Sequence, residues 1–434
     1  MATRMMIALI FYLPFLLLIT SCKSNKIGGG KSPQESYGDR LKRVGLDSSA
    51  MGIRWFAAAE KSLATPLTIQ LPFKESGFFS PDDPIAFGYR IALRQGQQLN
   101  ITVNTRSDLR SKIFIELWGP SRRGTGLELL QYADSSGLLI HEAKADVSLV
   151  LRIQSELLAP LSYELTASTG PSLAFPVSGG TNKSIGSIWG DSRDAGARSH
   201  EGIDIFAKRG TPVLAAAEGR ISAVREGGIG GKTVWLRPSG KDINLYYAHL
   251  DSQLVSTGQK VNAGDTVGLV GNTGNARNTP SHLHFGIYGN GGAIDPIYFV
   301  RTDNTKPASI TGNQSWLGKA VRTTARQNLL PAPTLKSGTS VLDKSTYLVI
   351  TAAIGAYYKV LLPDRSEGFV PVSAVSLLDR SIETITETSP LLYAPLAGSA
   401  IVAAAPPSSL PVKAWFNGFA YVDNGTVRGW MFIR

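Results

Sequence analysis

A chain of 434 residues with 43% hydrophobic and 18% charged residues is too long for one core and predicts two to four globular domains. The same balance excludes a disordered chain or a multi-span membrane protein. The net charge of +11 suits polyanionic surroundings, but no basic run with interleaved aromatics is present, which argues against nucleic acid as a partner.

The N-terminus reads Met1-Ala-Thr-Arg4, a mainly apolar run from Met5 to Ile19, then Thr20-Ser21-Cys22. A positive start, a short apolar core and small residues before a break describe a secretory signal, and the core is short for a membrane span. Ile19-Thr20-Ser21-Cys22 resembles a bacterial lipobox. That resemblance implies a signal peptide over 1–22, acylation of Cys22, and an exported protein lipid-anchored to a bacterial membrane, in the cell envelope on the periplasmic side. Which membrane leaflet holds the anchor stays open. Cys22 is the only cysteine, so a lipidated chain has no thiol left for a disulfide. Residues 23–49 are polar and glycine-bearing and are expected to be a flexible tether.

From 50 to 172 short alternating segments such as Leu99-Asn-Ile-Thr-Val103 and Ile113-Phe-Ile-Glu-Leu117 are separated by turn clusters, the pattern of a β-sandwich. No catalytic constellation lies within it. Phe175-Pro176 and Ser178-Gly179-Gly180 mark a boundary, and 175–301 is glycine-rich and strand-like. A polar linker is expected over 302–316.

The remainder reads as an internal repeat, 317–380 and 384–434. Leu329-Leu-Pro-Ala-Pro333 is echoed by Leu391-Leu-Tyr-Ala-Pro395, and Glu367-Gly-Phe-Val370 by Arg428-Gly-Trp-Met-Phe432. The repeats resemble bacterial SH3-like barrels, which implies two small β-barrels at the C-terminus. Tyr357, Tyr358, Trp415 and Trp430 are candidates either for a ligand groove or for barrel core. The expected fold class is therefore mainly β throughout.

The chemistry-bearing residues cluster in 175–301. Four of the five histidines lie there: His200-Glu-Gly-Ile-Asp204, Tyr247-Ala-His249-Leu250 and His282-Leu-His284-Phe285. A catalytic zinc needs three N or O ligands and one open position. His282 and His284 are two apart and emerge on one face of a strand, and His200 and Asp204 share a face in an extended segment. His141, in the sandwich, reads as an ordinary structural histidine. Two look-alikes fail on context. His200-Glu201-x-x-Asp204 imitates H-E-x-x-H, which needs a helix, whereas Gly202 and Ile203-Asp-Ile-Phe206 favour a strand, so Glu201 is not expected to be the general base. Gly227-Gly-Ile-Gly-Gly231-Lys232-Thr233 imitates a phosphate loop but lacks the first glycine and a following helix; a hairpin turn is expected.

His200-x-x-x-Asp204, Tyr-Ala-His249-Leu and His282-Leu-His284-Phe together resemble the lysostaphin-type (LytM-type) zinc metallopeptidases. So do the flanking Ile188-Trp-Gly190-Asp-Ser-Arg193, Gly210-Thr-Pro-Val213 and Gly271-Asn-Thr-Gly274. The resemblance covers about a quarter of the chain. It implies zinc held by His200, Asp204 and His284, with His249 and His282 as catalytic histidines beside it. It also implies peptidoglycan stem peptides or bridges as substrate, and cell-division or wall-synthesis proteins as partners. The residues do not divide the work between His249 and His282. Two rivals stand beside this reading: a non-catalytic relative that regulates other wall hydrolases, and a lipoyl-type carrier module suggested by Gly219-Arg-Ile-Ser-Ala-Val224. Five filled positions favour the enzyme over the first, and the histidine set has no use in the second.

Overall fold

The computed structural model describes residues 30–434 apart from 107–110, 194–195, 339, 387–388, 405, 408 and 434. The signal segment and Cys22 lie outside the described residues.

The chain opens on two helices, α1 (Pro33–Arg43) and α2 (Ala50–Ala64), where a flexible tether was expected up to residue 49. The reason lies in Ser32-Pro33-Gln34-Glu35. Ser32 accepts from the Glu35 backbone N–H, the Glu35 carboxylate accepts from the Ser32 N–H, and Pro33 occupies the first turn, a complete capping box. Tyr37 and Leu41 then pack with Trp55 and Phe114. Further bonds seat both helices on the sandwich: Gln34 Nε2 to Gln154 Oε1 at 3.0 Å and Trp55 Nε1 to the Ser155 carbonyl at 2.9 Å.

The strands that follow are β1 (Phe73–Phe79), β2 (Ala86–Leu93), β3 (Gln97–Arg106), β4 (Ile113–Pro120), β5 (Leu127–Tyr132), β6 (Leu138–Glu142), β7 (Val147–Ser155) and β8 (Leu161–Pro171). They form two antiparallel layers, β2-β7-β4-β5 and β1-β8-β3-β6. Alternation explains the packing. On β3, Leu99, Ile101 and Val103 enter the core shared by both layers, with Phe87 and Ile91 from β2 and Leu149, Leu151 and Ile153 from β7. His141 sits on β6 beside Gln131, 2.7 Å away, far in sequence from the other histidines and in a different layer.

Strands β9 (Ile185–Ser187), β10 (Ile203–Phe206), β11 (Gly219–Glu226), β12 (Lys232–Pro238), β13 (Ile243–Leu250), β14 (Lys260–Val261) and β15 (His282–Gly289) build the central sheet in the order β9-β10-β15-β13-β12-β11-β14. One face carries Ile203, Ile205, Leu245, Tyr247, Leu283, Phe285 and Ile287 into a core. Period-2 alternation therefore turns Asp204, Phe206, Tyr246, Ala248, His282 and His284 to the opposite face. Glu226 pairs with Lys232 across the β11–β12 hairpin, so Gly227–Gly231 is a hairpin connection, as its sequence suggested.

The C-terminal third contains β16 (Ala320–Thr323), β17 (Gln327–Leu329), β18 (Ser340–Leu342), β19 (Tyr347–Ile354), β20 (Tyr357–Leu361), β21 (Glu367–Pro371), β22 (Glu383–Ile385), β23 (Leu391–Leu392), β24 (Ile401–Ala403), β25 (Leu410–Phe416), β26 (Phe419–Asp423) and β27 (Arg428–Phe432). In the first unit β16-β19-β20-β21 are neighbours, and a bridge from Leu330 to Phe369 adds the β17–β18 pair. In the second the order is β22-β25-β26-β27-β23-β24. Apart from Val375–Leu377, which pairs with β16 in the first unit alone, the two orders correspond, so the repeated sequence motifs occupy equivalent places.

The expected closed barrels are not seen among the described residues; both units are open sheets. In the first unit β19 spends its outer edge on β1 of the sandwich, with Ser76 opposite Ala353 and Gly77 opposite Ala352. The sandwich layer and the first repeat thus share one continuous sheet, β21-β20-β19-β1-β8-β3-β6. Ion pairs Lys61–Glu367 (2.6 Å) and Arg365–Asp83 reinforce the junction. The central-sheet domain is consequently an insertion within a body made from both sides of it in sequence. Of the four candidate aromatics, Tyr358 and Trp430 are core, while Tyr357 and Trp415 are half-buried.

Candidate metal centre

Asp204 on β10 stands directly opposite His284 on β15. His200, just ahead of β10, folds its ring over the pair. His200 Nε2 is 3.1 Å from Asp204 Oδ1 and 3.0 Å from His284 Nδ1, and His284 Nδ1 is 3.0 Å from the same Asp204 oxygen. One ligand atom from each of the three lies within 4.8 Å of the others. His200 Nδ1 lies 2.9 Å from the Ile188 carbonyl, which can only accept, so that nitrogen carries the proton and Nε2 keeps its lone pair. Two ring nitrogens and a carboxylate oxygen converging on one point fit a divalent cation with N/O preference such as zinc.

Electrostatics agree with that geometry. Burial alone would push the Asp204 carboxyl up, but the His200 and His284 rings against it outweigh that and hold the group far below the usual carboxylate range. Burial, partly opposed by Asp204, lowers His284.

The other two histidines flank this cluster. The His249 ring is 5.1 Å from that of His282 and 5.8 Å from that of His284, centre to centre. His249 Nδ1 lies 2.9 Å from the Thr273 carbonyl and His282 Nδ1 lies 2.8 Å from the Pro280 carbonyl. Both rings are therefore fixed in the tautomer that leaves Nε2 free to accept a proton. Burial, with His284 and His282 adding to it, lowers His249 to about 4.

His249 reaches the cleft by breaking the strand rule. Ala248 already faces the site, so strict alternation would send His249 into the core. Instead Lys232 pairs with Leu250 and Val234 with Tyr247, leaving Thr233 opposite two residues, a β-bulge. The His249 backbone adopts φ +62°, a left-handed conformation uncommon outside glycine but one that histidine adopts more readily than most residues. Its N–H is held by the Gly230 carbonyl at 2.8 Å.

All five candidate residues thus line one cleft of about 810 Å³, together with Arg193, Glu201, Ile229, Tyr246 and Tyr288. Sequence reasoning quoted Arg193 only as flanking sequence; its guanidinium lies 2.6 Å from Asp204 Oδ2. It read Gly202 only as a strand signal; a Cβ there would come within 2.6 Å of His284 Cε1 and 2.7 Å of the Phe285 carbonyl. Ile229 and Gly230, on the β11–β12 turn, bring that turn into the cleft wall. The carbonyls of Ile188, Thr273 and Pro280 carry no residue-type signal and could not be read in advance.

A β-sheet that presents two histidines and a carboxylate for a cation, with two oriented imidazoles beside them, defines the class: a metallopeptidase-type centre. Residues 198–296 match Peptidase family M23, so this stretch of the chain is an M23 peptidase domain. Among similar curated proteins, an L-Ala–D-Glu endopeptidase of Bacillus subtilis (strain 168) is 37% identical over 143 residues, 30% of this chain and 43% of that protein. The peptidoglycan DD-endopeptidase ShyC of Vibrio cholerae is 35% identical over 126 residues, 29% of this chain and 26% of that protein. The chain thus spans less than half of either relative. Among solved structures, the catalytic domain of lysostaphin from Staphylococcus simulans is 32% identical, covering 26% of this chain and 89% of that one, with a TM-score of 0.25.

Proposed function

We propose that the chain is a zinc-dependent endopeptidase that hydrolyses peptide bonds of peptidoglycan. The single observation carrying this reading is the convergence of His200 Nε2, Asp204 Oδ1 and His284 Nδ1 beside two imidazoles whose Nε2 atoms are free. Zinc held by those three atoms would supply Lewis acidity and bring the pKa of a water to about 7. His249 and His282 do the proton work. One of them takes the proton of the attacking water on Nε2 and a proton returns from that imidazolium to the departing amine, while the carbonyls of Thr273 and Pro280 keep each ring aimed. Arg193 and the Ile188 carbonyl hold the Asp204 carboxylate and the His200 ring in place. The open cleft admits an extended peptide, and the names of the relatives support a wall peptide as substrate.

In this reading Cys22 is acylated, the mature protein sits in the bacterial envelope, and the two C-terminal units act as SH3-like wall-binding modules. A non-catalytic regulator is disfavoured because every ligand and proton-carrier position is filled. Digestion of purified peptidoglycan by the protein, with and without chelator, tests the activity. New peptide termini that vanish with chelator are expected; intact muropeptides under both conditions would end the proposal. Cys22→Ala should release the protein from membranes while sparing cleavage of soluble muropeptides.

A further inference from the structure

We infer that Arg193 is a positioning residue for the metal centre: it clamps the outer oxygen of Asp204 so that the carboxylate meets the cation through one oxygen only. The inference rests on the metallopeptidase reading above and goes beyond its ligand set.

The guanidinium is placed to do this. One Arg193 terminal nitrogen donates to Asp204 Oδ2 and to Ser187 Oγ, both at 2.6 Å. Asp204 Oδ1 is the oxygen that meets His200 and His284. The two oxygens of one carboxylate therefore have separate employers, and the side chain cannot rotate to offer both to a cation without losing a charge-assisted hydrogen bond.

The clamp itself is braced. Ser187 Oγ donates to Asp191 Oδ2 at 2.7 Å, and the same carboxylate oxygen accepts from the Ile188 N–H at 2.9 Å. The Ile188 carbonyl in turn accepts from His200 Nδ1. Residues 187–193 thus touch both first ligands of the chain, His200 through a carbonyl and Asp204 through the guanidinium. Both ends of the segment are tied: Ser187 pairs with Asp204 across β9 and β10, and Arg193 pairs with Arg198. Outer partners of this kind, when removed, reduce metal affinity by roughly 10–100-fold. A lysine in place of Arg193 keeps the charge as a compact ammonium but lacks the planar fork, so it should restore only part of the effect.

The test is equilibrium zinc binding, by chelator competition on the full chain, for the wild type, Arg193→Met and Arg193→Lys. Cobalt absorption spectra report ligand geometry alongside. Arg193→Met should weaken zinc roughly 10–100-fold and change the cobalt spectrum, with Arg193→Lys between it and wild type. Circular dichroism identifies any variant that fails to fold, in which case Arg193→Lys and Ser187→Ala decide. Wild-type-like affinity and spectrum in a folded Arg193→Met protein would overturn the inference while leaving the enzyme reading intact. A wild type that binds no zinc would overturn both.

Discussion

His200 Nε2 lies 3.0 Å from His284 Nδ1, with the Asp204 carboxylate against both. Three ligand atoms this close to one another are held together best by a cation between them. Zinc should therefore stabilise the fold, and by more than 2.7 kcal/mol once its free concentration exceeds about a hundred times Kd. A calorimetric melt of the full chain with chelator and with zinc checks this. His284→Ala should remove both the zinc-dependent gain and peptide hydrolysis.

His249 should separate binding from chemistry. It contributes no atom to the three-ligand cluster, so His249→Asn should retain zinc. Turnover should fall by roughly 10²–10⁴-fold, the usual worth of a positioned proton carrier. Asparagine tolerates the left-handed backbone found at this position, so the fold should survive. Glu201→Gln, in contrast, should hydrolyse within a few-fold of wild type, because Glu201 is exposed and precedes a strand rather than standing on a zinc-binding helix. Metal content and steady-state rates on the same preparations decide both expectations.

Acid should destabilise the metal-free protein through the same histidine. Its pKa falls from 6.5 to about 4 on folding, so between those values the unfolded chain binds a proton that the folded chain refuses. The stability from the neutral buried ring is present above pH 6.5 and drains away as the pH drops through about 4, a loss on the order of 3 kcal/mol. Melting temperatures in chelator at pH 7 and pH 4.5 should therefore differ more for wild type than for His249→Asn. Equal differences would contradict the assignment.

Gly202→Ala is a test of space. The added methyl carbon would press on the His284 ring and on the Phe285 carbonyl, with a rigid backbone on one side. Overpacking of this sort costs about 1–3 kcal/mol, and the ring is the part that can yield. Zinc affinity should drop along with stability, measured by chelator competition and denaturant melts.

Deleting residues 302–434 should harm the sandwich as well as the tail. The deletion uncovers β1, whose pairing with β19 is lost, and an unpaired apolar strand edge invites association. Light scattering should report aggregation of the truncated chain at concentrations where the full chain is clear.

Much of this molecule could be read in its residues. The alternation of Leu283, Phe285 and Ile287 against His282 and His284 dictated which face of β15 meets the core, and the spacing of His200 and Asp204 placed them together. What escaped was of three kinds. The Ser32–Glu35 capping box was written in the sequence but masked by a polar, glycine-bearing neighbourhood. The bulge at His249 violates the periodicity on which strand reading depends. The pairing of β1 with β19 joins segments almost 280 residues apart by backbone hydrogen bonds, which leave no pattern in side-chain chemistry.

The shared sheet also changes what a single cut can do. The stretch 303–306 is exposed and lacks regular structure, so it is the natural place for a protease to nick this chain. A nick there would not free the C-terminal units, because β19 would stay zipped to β1 and the charges of Lys61 and Glu367 would stay in contact. The severed halves would travel as one particle, separating only in denaturant.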